Sequence, residues 1–316
     1  MNDVDAASSL AIGGDREAVC YLCLDGGLLE PLRRDCACRG SDAGFVHLAC
    51  LAEYAASKSV QASGMKEFVN PWETCPGCLQ EYQNELAINI ASKFVSFVRM
   101  QYPSRETQKQ VEALHVKLCA LGNMFDRLQP VQKREMGVTA NVILSLIDRM
   151  TRDAPPLPRR YAECEANTHT TIGRIVLNEN TEDSARRAAV HFQTSLELYQ
   201  VIGDVEGIVN AKRNIAHAKF RFEGDRNVEA EMLKSSHELY ELRVAEYGVG
   251  SELTIDAGRD YALHLFFVCR GEEGRELLAK LLATSKQVLG PHHSTTKEVK
   301  FAHDCFNIKT NSTDKL

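Results

Sequence analysis

Between positions 20 and 78, seven of the chain's eleven cysteines and one histidine fall into four short pairs. They are C-x2-C at Cys20 and Cys23, C-x-C at Cys36 and Cys38, H-x2-C at His47 and Cys50, and C-x2-C at Cys75 and Cys78, separated by twelve, eight and twenty-four residues. No other feature restricts the fold so tightly. A segment of this size has little apolar core of its own, and soft ligands at such spacing offer a different source of stability. Zinc takes thiolate and imidazole in a tetrahedron, and two ligands two residues apart can reach one ion from a tight turn. Eight ligands fill two such sites. No position is then left open to activate water, so both ions would be structural. Binding of this kind supplies roughly 10–16 kcal/mol of folding free energy.

A disulfide knot and a redox pair are the competing explanations. The first residues, "MNDVDAASSLAIGGDREA", lack the positive start and apolar run of a secretory signal. An intracellular protein, cytoplasmic or nuclear and not secreted, is therefore expected, and clustered thiols in a reducing compartment hold metal more readily than they form disulfides. Two separate C-x2-C redox motifs would not require the interleaved C-x-C and H-x2-C pairs. The other cysteines, Cys119, Cys164, Cys269 and Cys305, are scattered singly and read as small buried residues.

The order four Cys, one His, three Cys resembles the RING-CH, or RING-variant, zinc finger over about residues 18 to 82. The resemblance implies a cross-brace: Cys20, Cys23, His47 and Cys50 on one zinc, Cys36, Cys38, Cys75 and Cys78 on the other. It also implies ubiquitin ligase activity, in which the finger grips a ubiquitin-conjugating enzyme through Leu22, Tyr54 and Pro76; these same side chains could instead pack the finger's own small core. Such a ligase positions a charged enzyme beside a substrate lysine, so no catalytic residue is expected. Leu79 departs from the pattern, because active ligases often carry a basic residue directly after the last ligand. A non-enzymatic adaptor is thus an alternative. Histone-reading PHD fingers share the ligand order, but the eight-residue gap before His47 and the placement of Trp72 three residues before Cys75 fit RING-CH better.

Beyond the finger the pattern is helical. Leu86, Ile90, Phe94, Phe97 and Val98 form the stripe of an amphipathic helix that stops before Pro103. Breaks are expected at Pro130, the "PPLP" of 155–158, Gly203, Gly224, Gly248, Gly271 and Gly290. "SLELY" at 195–199 returns as "SHELY" at 236–240, and "YGVGSELTIDAGRDYA" at 247–262 as "LGPHHSTTKEVKFAHD" at 289–304, steps of 41 and 42 residues. A period near forty made of two helices points to a solenoid, with Ala216, Ala262 and Ala302 where successive helices approach closely. The repeats resemble the tetratricopeptide type of kinesin light chains across about 185–305; over 105–180 helical pairing rests on spacing, and HEAT-like packing is an alternative there. The resemblance implies a groove for a protein or peptide, where Lys212 and Arg213 could meet acidic groups.

The expected architecture is a small zinc-stabilised, cross-brace RING-like domain at 18–82, followed by an all-α, TPR-like solenoid at 83–309. Disordered segments at 1–17 and 310–316 flank them. The net charge of -6 argues against an extended nucleic-acid surface. Apolar runs such as "YALHLFFVC" are too short for a membrane span.

Overall fold

The computed structural model describes residues 18–27, 30–35, 38, 44–102, 106–223, 226–291 and 293–308. The segments 1–17 and 310–316, the predicted ligand Cys36 and the predicted break Gly224 lie outside them. Among the described residues there are twelve α-helices and no strand longer than the isolated bridges Arg33–Val46 and Thr74–Glu81. The chain divides into two compact units, 1–132 and 133–316.

In the first unit, α1 (Leu48–Val60) and α2 (Met65–Glu73) come after Cys20, Cys23, Cys38 and His47, and Cys50 lies in the first turn of α1. His47 stands at the N-cap of α1, but its side chain makes no capping bond there. The carboxylate of Glu30 accepts from the Ala49 N–H at 3.3 Å instead, covering one orphan donor of the first turn. Leu51, Ala55 and Ser59 recur at four-residue steps and form the buried face of α1. Ser59 then joins two elements: its hydroxyl donates to the Phe68 carbonyl at 2.6 Å and accepts from Trp72 Nε1 at 2.8 Å.

The stripe predicted after the finger is the buried face of α3 (Asn84–Gln101), which ends before Pro103. Leu86, Ile90, Phe94, Phe97 and Val98 are all buried. Trp72 stacks on Phe94 with centroids 4.8 Å apart, and Phe68, Phe97 and Tyr102 extend the aromatic cluster. Because α2 and α3 share this core, and α4 (Thr107–Asn123) packs on both, the first unit runs well past residue 82. The metal-site loops are tied to the same core. Gln83 N–H donates to the Asp35 carbonyl at 2.9 Å, and the half-buried Asp35 carboxyl, pushed up by desolvation, is hydrogen-bonded by Asn84 and the Leu86 amide at the start of α3.

Most of α5 (Pro130–Asp153) belongs to the second unit, beginning at a proline whose missing N–H costs nothing in a first turn. After the "PPLP" connection come α6 (Arg159–Leu177), α7 (Glu182–Ile202), α8 (Val205–Glu223), α9 (Arg226–Tyr247), α10 (Glu252–Phe267), α11 (Gly271–Val288) and α12 (Ser294–Ile308). From α6 onward each helix packs on the next, and α10 also meets α12. Helices α7, α9 and α11 end at corresponding points, where Gly203, Gly248 and Gly290 take φ of 71°, 79° and 93°. This left-handed conformation is the usual reason for glycine past a helix end. Ala216, Ala262 and Ala302 are buried in α8, α10 and α12, the related helices of successive pairs. The break expected at Gly271 lies just before it: Gly271 opens α11, and Cys269 turns the chain with φ of 61°. The scattered cysteines differ from expectation too. Cys164 is buried, whereas Cys119, Cys269 and Cys305 are exposed, since each lies on the outward side of its helix or turn.

Candidate metal centre

Two identical turns present the outer ligand pairs. At the first, the Leu24 N–H donates to the Cys20 carbonyl and the Cys20 N–H to the Asp25 carbonyl, both at 2.8 Å. The second repeats the pattern with Leu79 to Cys75 at 2.8 Å and Cys75 to Gln80 at 2.9 Å. Leu24 and Leu79, each directly after the second cysteine of its C-x2-C, take φ of 66° and 59°. Such a conformation costs a leucine about 1–2 kcal/mol, so something in each turn must hold it. Both side chains point to solvent, 73% and 77% exposed.

The fold brings the ligand pairs together in alternation. Donor atoms of Cys20, Cys23, His47 and Cys50 lie within 4.8 Å of one another, and so do those of Cys38, Cys75 and Cys78. First and third pairs therefore converge, as does Cys38 of the second pair with the fourth, in line with the division that the resemblance implies; Cys36, the eighth predicted ligand, lies outside the described residues. His47 Nδ1 stands 3.3 Å from Cys23 Sγ and 3.7 Å from Cys50 Sγ, and Cys38 Sγ stands 3.7 Å from Cys75 Sγ. Tetrahedral coordination with sulfur at ~2.3 Å and nitrogen at ~2.0 Å gives edges of about 3.5–3.8 Å. A disulfide would need sulfur atoms about 2.05 Å apart. The spacing thus fits ligands around an ion.

His47 shows which ring nitrogen is available. Its Nε2 lies 3.0 Å from the Gly26 carbonyl, an acceptor only, so Nε2 carries the proton and the Nδ1 lone pair faces the cysteines. Electrostatics give the same answer. Burial resists ionisation of Cys20, but backbone N–H groups of Cys23, His47 and Leu22 outweigh it and bring the thiol down to about 7. Cys50 is pushed up to about 12, by burial and then by Cys23 and Cys20 beside it. At Cys75 burial is again opposed, here by the amides of Cys78 and Gly77 and by Cys38, and the thiol is lowered. Three thiolates cannot share one small site without a cation, so the donor set is suited to a metal ion.

Of the other predicted positions, Leu22 and Pro76 sit half-buried within the two turns. Tyr54 is half-buried on α1, with Lys58 Nζ 5.7 Å from its ring centre. Reasoning on the sequence missed Leu24, although it follows its C-x2-C just as Leu79 follows the other, and missed the Gly26 carbonyl, which nothing in the sequence marks. In the repeat unit Arg213 pairs with Asp260 at 2.9 Å, while Lys212 is exposed. No helix among the described residues is long and apolar enough to cross a membrane. No protein-family model and no curated protein significantly matches the chain.

Proposed function

We propose that this protein is a zinc-binding, RING-CH-type ubiquitin ligase that recruits a ubiquitin-conjugating enzyme through the finger and a protein substrate through TPR-like helical repeats. The alternation of ligand clusters carries the reading, because it matches the cross-brace of RING-type fingers rather than two independent metal turns. Thiolate and imidazole donors at tetrahedral spacing favour zinc over harder ions. When bound, each zinc would hold one of the two turns against the other ligands of its own cluster and would supply no reactive water. Leu22 and Pro76 lie on matching turns and Tyr54 on the helix that follows His47, and in this reading these three residues contact the conjugating enzyme. The protein's contribution to ubiquitin transfer is proximity: it raises the effective concentration of the charged enzyme at the substrate lysine.

Reconstituted self-ubiquitination with zinc-loaded protein and a panel of conjugating enzymes tests this reading. Chains should form with at least one enzyme and be lost in Leu22→Ala and Pro76→Ala variants that keep their zinc. No chains with any enzyme would overturn the ligase assignment. The exposed Leu79, where a basic residue would hold ubiquitin, favours a second reading, an adaptor that binds partners through both units without transferring ubiquitin. Partner capture that survives Leu22→Ala, with no ubiquitin transfer, would establish that one.

A further inference from the structure

Away from the finger, two histidines of the repeat unit face each other. His169 lies on α6 and His191 on α7; their Nδ1 atoms are 3.1 Å apart, with ring centres 5.4 Å apart and planes inclined at 31°. Both side chains are half-buried. The packing around them is specific. Thr170 and Ser195 hydroxyls meet at 2.7 Å, Tyr199 donates to Asn167 Oδ1 at 2.8 Å, and the Phe192 ring lies against Gly173. These contacts fix the two helices on which the imidazoles ride, so the rings are aimed before any ligand arrives.

An ion bonded at ~2.0–2.1 Å to both nitrogens at this separation would see them at an angle of about 100°, between octahedral and tetrahedral values. An N–H···N hydrogen bond fits the same distance but occupies one Nδ1 with a proton. We propose that His169 and His191 form a second kind of metal site in this protein, taking a divalent transition ion of the Zn2+ or Ni2+ class through both Nδ1 atoms, with water completing its coordination. Imidazole is a ligand these ions prefer. Among the described residues no third cysteine, histidine or carboxylate joins the pair within the spacing that unites the finger ligands, so the site is open and weaker than the fingers.

The surroundings keep both rings ready as ligands. Burial, and then the neighbouring ring, lower His169 to about 4, and burial, with Arg187 second, lowers His191, so both are neutral at pH 7. Arg187 lies one turn before His191 and would repel a cation, but Glu179 and Asp183 already engage it at 2.5 and 2.9 Å. Binding is neutral in protons: the proton on one Nδ1 leaves and Nε2 of that ring takes one up.

The test uses the full chain with its tightly held metal in place and its histidine rings labelled with 13C. Added Zn2+ at pH 7 should shift the His169 and His191 signals together along one saturable curve, with exposed His237 unmoved. His169→Gln, shown by circular dichroism to keep its helix content, should abolish the His191 response. Signals that stay in place, or a His191 shift that survives His169→Gln, would overturn the site and leave a hydrogen bond between two neutral rings as the pair's whole role. The finger ligands do not enter this readout, so failure of their zinc assignment would appear in metal content instead.

Discussion

Ser59 ties two elements of the metal-bearing unit together through one hydroxyl. Its hydroxyl fills the carbonyl of Phe68 and the indole N–H of Trp72 at once, both inside the aromatic cluster. Ser59→Ala strands a buried donor and a buried acceptor, which costs about 1–3 kcal/mol each before local relaxation. Denaturant titration of the metal-loaded protein should show a loss of that order, and a change under about 0.5 kcal/mol would mean that water replaces the hydroxyl. The ligands act in the same direction with a different readout. Cys75→Ser removes a buried thiolate from the second cluster alone, so one of two ions should be lost and the other kept. Native mass spectrometry reads that directly; simultaneous loss of both ions would mean that the clusters fold as one cooperative unit. The clustering of the ligands was legible in residue order, because four soft pairs at such spacings have few other uses, whereas the role of Ser59 was not. The left-handed Leu24 and Leu79 were not, since leucine gives no sign of its φ.

Within the helices, glycine does two jobs that the sequence reveals unequally. Gly248 closes α9 in the left-handed region with open space around it, so Gly248→Ala adds backbone strain without a clash. The expected cost is about 1 kcal/mol, read from thermal unfolding of the helical signal. Gly173 is different. It lies inside α6, and a Cβ there would stand 2.4 Å from the Phe192 ring. Gly173→Ala forces α6 and α7 apart or turns the ring, at a cost of about 1–3 kcal/mol or more. If its loss were no larger than that of Gly248→Ala, the close approach of α6 and α7 would be mistaken. Gly203, Gly248 and Gly290 could be found from the sequence because they end periodic runs. Gly173 and Gly258 interrupt nothing in the pattern, and only a ring or leucine lying on them gives their reason.

On the scale of the whole chain, the repeat unit carries its own pH signature. Burial lowers His169 and His264 to about 4, against about 6.5 for an unfolded histidine. Between those values the unfolded chain binds more protons than the folded one, so stability is complete above about pH 6.5 and declines as pH falls toward 4. Comparing denaturation midpoints at pH 7 and 5 should show this decline, and His264→Gln should reduce it; equal slopes would place the titration elsewhere. The order of the chain, soft ligands first and paired helices after, could be read from period and spacing. Where the first compact unit ends could not, because Phe94 and Phe97 look like any helical stripe until Trp72 is found stacked on them. That stacking also makes the central claim measurable, since Trp72 is the only tryptophan and is buried in the metal-bearing unit. Stripping the protein with a chelator while recording metal content and Trp72 fluorescence should release two zinc ions per chain and shift the emission to the red, with most of the far-UV helical signal retained. A protein that carries no zinc as purified, or whose Trp72 emission does not change when zinc is removed, would contradict the account.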